Sequence, residues 1–127
     1  MYNREGLDKR RTYMQNIDVE DVQKRIDLWT NQPLYIHLEL TTGAYAAHHD
    51  SSAHPAANFI RNAMILYTDG SIQGEGPYRA GLKLEHGWVY AEGLTHYVPE
   101  DKERLILAGI NREGKLVVAL QLSTKPF

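Results

Sequence analysis

The feature that most restricts the fold is an unbroken alternation of apolar and polar residues at positions 34–41. The residues at even positions are apolar (Leu34, Ile36, Leu38 and Leu40), and those at odd positions are the polar set (Tyr35, His37, Glu39 and Thr41). Successive side chains of a strand point to opposite faces, so this pattern predicts a strand with one apolar and one unusually polar face. The polar face is the first place to look for a functional site.

The residues that follow predict a hairpin. Positions 42–43, Thr-Gly, suit a two-residue turn, and positions 44–49 then form a returning strand whose alanines leave space beside the polar face. The cross-strand pairs in this register are His37–His48, Glu39–Ala46 and Tyr35–Asp50. A three-residue loop at 41–43 shifts the pairing and brings His49 to the face instead. The sequence leaves both registers open.

This polar face carries the candidate functional groups. Two imidazoles and two carboxylates within reach of one point could hold zinc or another divalent cation, or act as a general acid and base. The candidate metal ligands are His37, Glu39, His48, His49 and Asp50, and the candidate ligand-binding residues are Tyr35, His37, Glu39 and Tyr45. A polar pocket without chemistry, or a solvated strand face, would use the same residues. Neither HExxH nor paired CxxC spacing is present, and no residue is assigned as catalytic.

A single helix is predicted before this strand. Asp18 suits the N-cap, and Ile17 before it can meet Val22 as a hydrophobic staple. An apolar stripe at spacings of three and four is formed by Val19, Val22, Ile26 and Trp29. Asn31 and Pro33 end the pattern. Such a stripe needs a sheet against which to pack.

The rest of the chain predicts further hairpins, with turns at 69–70, 86–87 and 111–114. The first of these, Asp-Gly, is the strongest hairpin signal in the chain, because a type I′ turn requires positive φ at both positions. We therefore expect a mainly β (α+β) fold: an antiparallel, β-barrel-like sheet of hairpins with an N-terminal helix packed on it. Residues 16–127 would form this single barrel-like domain, and residues 1–15 a polar arm.

Composition limits the classes of function. The 127 residues include no cysteine, so disulfides and thiolate chemistry are excluded. A net charge of −2 argues against nucleic acid as a partner, and no apolar run is long enough to span a membrane. The N-terminus lacks the apolar region of a secretory signal, so a cytoplasmic location is expected.

Two segments, PLYIHLE and TGAYAAH, resemble the YojF-like family of small bacterial proteins. The resemblance includes the helix that contains Trp29 before these segments and Asp69-Gly70 after them. The resemblance runs from about Ile17 to Phe127. It implies a barrel-like β structure and no known activity. It also suggests a link to low-molecular-weight thiol metabolism, through deacetylases that act on N-acetylglucosamine-type conjugates.

Together these observations lead us to expect a non-catalytic ligand-binding or accessory protein with a small polar ligand. We expect it to form a homo-oligomer through sheet edges, a dimer in the simplest case. The alternative is a metal-dependent or acid–base enzyme that uses the His/Glu cluster of the first hairpin.

Overall fold

A computed structural model of the chain describes residues 14–42 and 56–127. The described part is mainly β with one short helix. The elements are β1 (Gln15–Asn16), α1 (Val19–Leu28), β2 (Leu34–Thr42), β3 (Ala56–Ile65), β4 (Asp69–Gln73), β5 (Tyr78–Leu84), β6 (Gly87–Leu94), β7 (His96–Tyr97), β8 (Arg104–Ile110) and β9 (Leu116–Ser123).

The described strands form two antiparallel sheets. The larger has six strands in the order β1-β7-β8-β9-β2-β3, and the smaller has three in the order β4-β5-β6. The predictions of a mainly β, antiparallel fold and of an N-terminal helix are confirmed. The prediction of one sheet that closes into a barrel is not confirmed, because the described strands are divided between two sheets with separate edges.

The predicted hairpin turn at Asp69-Gly70 is wrong. These two residues begin β4, which pairs with β5 in the smaller sheet, whereas β3 belongs to the larger one. Gly70 does not have the positive φ that a type I′ turn requires. A side chain there would instead collide with Ile26 of α1, so the glycine allows the helix to pack closely on β4.

The two later hairpins are confirmed, although the turn of the first lies at 85–86, one residue before the predicted 86–87. β5 and β6 pair antiparallel with Leu84 opposite Gly87, which leaves a two-residue turn between them. β8 and β9 pair along their length, and the turn between them is closed by the Gly114 N–H, which donates to the Asn111 carbonyl. Gly114 has a φ of 77°, a conformation that glycine adopts without a steric cost.

The helix begins where the sequence predicts, and it ends at Leu28, shortly before the predicted stop at Asn31. Asp18 is its N-cap, with its side chain accepting a hydrogen bond from the Asp21 N–H, and Val22 and Ile26 are its buried residues. Two side-chain contacts attach α1 to the smaller sheet and the segment before it. The Gln23 amide donates to the Gly70 carbonyl and accepts from the Ile72 N–H, and the Tyr67 hydroxyl donates to the Ile26 carbonyl at 2.6 Å.

The main hydrophobic core lies between α1, the smaller sheet and the apolar face of the larger sheet. Its buried members from β2, β8 and β9 are Leu34, Ile36, Leu105, Leu107, Val118, Leu120 and Leu122. The apolar parity of the initial alternation therefore faces this core at its N-terminal end. The ten-residue α1, the only helix in the described ranges, is too short to cross a membrane.

Candidate functional site

The central strand β2 has a described neighbour on each side. It pairs with β3 over its whole length and with β9 from Tyr35 to Leu40. His37 is thus opposite Arg61 on one side and Gln121 on the other. Both edges of β2 are filled at this position, so the predicted pairing of His37 with His48 is wrong, and so is the shifted pairing of Tyr35 with His49. The partner from β9 could not be inferred from a local turn.

The polar parity of β2 lies on the face opposite the main core. Residues opposite one another in an antiparallel pair point to the same side, which arranges this face in rows across β2, β9 and β8. The rows are Tyr35–Ser123–Arg104, His37–Gln121–Ile106 and Glu39–Ala119–Ala108. The polar groups of the second and third rows are shielded from water: His37 and Gln121 are each 2% exposed and Glu39 is fully buried.

His37 and Glu39 form the polar contact within this buried region. The Nε2 atom of His37 lies 3.5 Å from Oε1 of Glu39. The Thr41 hydroxyl approaches Oε2 of the same carboxylate at 3.5 Å, while Oε1 makes no hydrogen bond within the described part of the chain. A buried imidazole and carboxylate in contact are an ionisable pair of the kind found in metal sites and in acid–base catalysis.

The segment after β9 covers this pair. The Phe127 ring meets the His37 ring edge-on, with 6.0 Å between centroids, and the Arg104 guanidinium lies 5.1 Å from the centre of the Phe127 ring. Asn62 of β3 holds the backbone of Phe127 by donating to its carbonyl and accepting from its N–H. His37 is consequently enclosed by its own sheet and by a residue anchored from the neighbouring strand.

The structure describes only some of the predicted site residues. The structure brings His37 and Glu39 together and places the half-buried Tyr35 in the adjacent row. Tyr45, His48, His49 and Asp50 lie outside the described residues. Across 14–42 and 56–127, no group of three or more histidine, aspartate or glutamate side chains is arranged to hold a metal ion.

A cleft of about 360 Å³ opens at the end of the larger sheet, where β8 begins and β9 ends. Its walls carry three cationic side chains and one carboxylate, together with an indole and small polar groups. The lining residues are Trp29, Lys102, Glu103, Arg104, Ser123, Thr124, Lys125 and Pro126. The excess of positive charge favours an anionic ligand, and the indole offers an apolar surface beside it.

Both walls of the cleft are fixed by local hydrogen bonds. The Asp101 carboxylate accepts from the N–H groups of Glu103 and Arg104, each at 3.0 Å. On the other wall, the buried Ser123 hydroxyl accepts from the Lys125 N–H at 3.1 Å. Such side-chain-to-backbone bonds hold turns in one conformation, so the cationic groups project from ordered backbone.

A charged cluster on α1 supports the loop that forms the first wall. Arg25 donates to the carbonyls of Pro99 and Asp101 and forms an ion pair with Asp21 at 3.3 Å. The Tyr97 hydroxyl donates to the same Asp21 carboxylate at 2.9 Å, and this hydrogen bond, with the nearby Arg25 charge, lowers the pKa of Asp21. Burial and the bond to Asp21 raise the pKa of Tyr97 to about 12.

The sequence did not reveal the cleft, although a signal for it was present. Lys102 precedes β8, Arg104 is its first residue, and Lys125 follows β9. The free ends of a hairpin lie side by side, so the confirmed pairing of β8 with β9 brings these three cations to one end of the sheet. The sequence alone predicts Trp29 only as part of the packing stripe of α1.

These features define a small two-sheet β protein with a cationic surface cleft beside a buried His–Glu pair. The chain belongs to the family described as "Protein of unknown function (DUF1806)", whose model matches residues 16–127.

A Bacillus subtilis relative and its solved structure confirm the predicted resemblance to the YojF-like family. The chain is 48% identical over 114 residues to "Uncharacterized protein YojF" of Bacillus subtilis (strain 168), covering 90% of this chain and 98% of that protein. It also matches the solved structure titled "Crystal Structure of Bacillus subtilis YojF protein" with a TM-score of 0.74 and 46% identity. That match covers 90% of this chain and 96% of the other.

Proposed function

We propose that this protein is a non-catalytic ligand-binding or accessory protein that binds a small anionic molecule in the cleft where β8 begins and β9 ends. The observation that carries the proposal is the cleft's lining of three cations and one carboxylate around a half-buried indole. A molecule with a carboxylate or phosphate group would meet Lys102, Arg104 and Lys125, while its less polar part would lie on Trp29.

Arg104 is the best placed of the three cations. Its backbone is bound to Asp101, and its guanidinium is oriented by the Phe127 ring. A planar guanidinium binds carboxylate or phosphate oxygens in pairs, and its prior orientation reduces the entropy lost on binding. Lys102 and Lys125 are exposed and add positive charge that attracts the anion.

Fluorescence of Trp29 provides a direct test. The chain has two tryptophans, so Trp88→Phe leaves Trp29 as the single reporter. Titration of this variant with phosphate, citrate and glucosamine 6-phosphate should give a saturable change that weakens as salt is added. Arg104→Gln should weaken binding about tenfold, the effect of losing roughly 1.4 kcal/mol.

The control is Lys83→Gln, which removes an exposed cation from β5 in the smaller sheet. It should leave the titration unchanged. If no anion in the panel gives a saturable signal, or if Lys83→Gln weakens binding as much as Arg104→Gln does, the cleft is not the ligand site.

The link to low-molecular-weight thiol metabolism is a finer part of the same proposal and rests on the family resemblance. An anionic thiol joined to an N-acetylglucosamine-type sugar would have both the charge and the less polar surface that the cleft lining favours. Including such a conjugate in the titration tests this part separately. Binding no tighter than that of glucosamine 6-phosphate would count against it.

A metal-dependent or acid–base enzyme is the second candidate. The observation in its favour is the buried contact between His37 and Glu39, in which Oε1 of the carboxylate makes no described hydrogen bond. Two such groups are too few for a metal site, so the hypothesis requires ligands from His48, His49 or Asp50.

Metal analysis of protein purified without chelator or affinity tag tests this candidate. Stoichiometric zinc, manganese or iron that is lost in His37→Ala and kept in His86→Ala would support it, because His86 is fully exposed at a turn. No bound metal and no rise in Tm on adding these metals would contradict the metal-dependent form of this candidate, because a ligand that binds the native state raises apparent stability.

A further inference from the structure

β3 is the outermost described strand of the larger sheet, and its side chains are exposed or half-exposed to solvent. Among the described strands it pairs only with β2. Its exposed apolar side chains include Phe59 (43% exposed), Ile60 (48%) and Met64 (59%). Leu40 of β2, 48% exposed, continues this apolar surface on the side where Ile60 projects.

The sequence of β3 lacks the usual protection of an edge strand. Free edges are commonly guarded by proline, by charged side chains or by shortness. β3 has ten residues, no proline and one charge, Arg61. A bulge at Asn62, whose φ is 59°, interrupts its pairing with β2, but residues 57–61 keep a continuous register with β2.

Two other sheet edges are protected by comparison. β1, the opposite edge of the larger sheet, has only two residues. At the β4 edge of the smaller sheet, the Gln23 side chain bonds to the Gly70 carbonyl and the Ile72 N–H. β6, the remaining edge of the smaller sheet, also has exposed aromatic side chains, Trp88 and Tyr90, but it has eight residues and its Gly93 carbonyl lies against Gly109 of β8. In the described chain, β3 therefore combines the greatest strand length with an apolar surface and an outer side that no described strand covers.

We propose that the β3 edge pairs antiparallel with the β3 edge of a second copy of this chain. A two-fold axis at Ile60 places Ile60 opposite itself and Phe59 opposite Arg61 of the partner subunit. The two larger sheets become one continuous sheet of twelve strands, two sets of six. The interface is isologous, the form that closed dimers take.

Charge favours a second copy in this register. Arg61 is the only charged residue of β3, and this pairing sets it beside an aromatic ring rather than beside the partner's Arg61. On the other face, the exposed Ile60 side chains of the two copies meet at the axis. Backbone hydrogen bonds and apolar contacts on both faces thus form together.

Sedimentation equilibrium of the intact chain tests the proposal. The expected mass is twice 14.5 kDa, and Ile60→Lys, which puts like charges on the axis, should raise the dissociation constant at least tenfold. Leu66→Lys is the control, since Leu66 is exposed but lies outside β3. Circular dichroism and Tm should show that each variant remains folded.

A pair of variants at Phe59 tests the register. Phe59→Glu places a carboxylate opposite the partner's Arg61 and should keep the dimer, whereas Phe59→Arg places two guanidiniums together and should dissociate it. If the intact chain is a monomer, the proposal is wrong, and the β3 edge either binds a strand of a different protein or stays exposed to solvent. A dimer that Ile60→Lys does not weaken, or equal effects of the two Phe59 variants, overturns it as well.

Discussion

Asn62 and Phe127 are joined by two hydrogen bonds in opposite directions. The Asn62 side-chain amide donates to the Phe127 carbonyl at 3.3 Å, and its oxygen accepts from the Phe127 N–H at 2.7 Å. Asn62 has a φ of 59°, which asparagine tolerates better than most residues. The bulge in β3 therefore directs one side chain to the segment that covers His37.

The first prediction concerns this attachment. Asn62→Gly keeps the backbone conformation but removes both hydrogen bonds, so the Phe127 amide should exchange with solvent faster by at least tenfold. Asn62→Asp is the matched control, because its carboxylate can still accept from Phe127 N–H and its backbone tolerates the same φ. Amide hydrogen exchange followed by NMR gives the rates. Unchanged protection in Asn62→Gly would show that the Phe127 ring contacts alone hold the segment.

The second prediction concerns pH. Tyr97→Phe removes the main cause of the lowered pKa of Asp21, so that pKa should rise toward 3.8 in an NMR titration. At pH 7 we expect the free energy of unfolding to fall by about 0.5–1 kcal/mol, a modest loss because the Asp21 side chain is 36% exposed. Tyr90→Phe, at an exposed position, should change neither quantity.

The sign of this effect differs at the two ends of the pH scale. A lowered folded-state pKa makes Asp21 stabilising above its unfolded pKa and removes that stability as pH falls through the folded value. The pKa of Tyr97 is raised to about 12, so its contribution is present below pH 10 and is lost between about pH 10 and 12. The difference in stability between wild type and Tyr97→Phe should therefore close as pH falls below 3.8. At strongly alkaline pH it should close and then reverse, because only the wild type has a phenol at position 97 whose ionisation is unfavourable in the folded state. A gap of unchanged sign and size at both extremes would contradict the assignment.

The third prediction concerns the contact between the two sheets. A Cβ atom at Gly109 of β8 would collide with the Gly93 carbonyl and with Val118, so Gly109→Ala should reduce the free energy of unfolding by about 2–3 kcal/mol. Gly87→Ala is the control, since nothing lies within 4 Å of a Cβ atom at that turn. Urea denaturation measures both. Equal stability of the two variants would mean that the sheets can move apart at little cost.

The fourth prediction concerns the attachment of α1 to β4. Gln23→Ala leaves the Ile72 N–H and the Gly70 carbonyl without their side-chain partner and should cost about 1–3 kcal/mol. Gln32→Ala removes an exposed side chain that bonds only to the Leu28 carbonyl, and its effect should stay within about 0.5 kcal/mol. Faster exchange of the Ile72 amide in Gln23→Ala would identify the bond responsible. Equal losses in the two variants would contradict this account.

The elements that the sequence predicted correctly depend on neighbours along the chain. Asp18 caps the helix through a residue three positions later, and the turn at 111–114 closes on itself. The alternation at 34–41 likewise predicts that β2 is a strand, without any information on which strands pair with it. These signals are local, so one sequence is sufficient to recognise them.

The features that the sequence could not supply depend on which distant segments meet. Nothing in the sequence of β2 specifies that β9 will lie beside it, so the face shared by His37 and Gln121 could not be predicted. Asp-Gly at 69–70 suits a tight turn, yet the small side chain of Gly70 is used for packing against Ile26. The cleft could not be predicted from the sequence for the same reason, because its residues come from three separate segments.

The position of β9 between β8 and β2 also has a consequence for the order of folding. During synthesis, β2 and β3 emerge from the ribosome long before β9, and until then one side of β2 has no partner among the described strands. The smaller sheet needs only residues 69–94 and can pair early, since its contacts are short in sequence. The larger sheet cannot be complete until β9 is available to pair with both β8 and β2, and this strand links the beginning of the fold to its end.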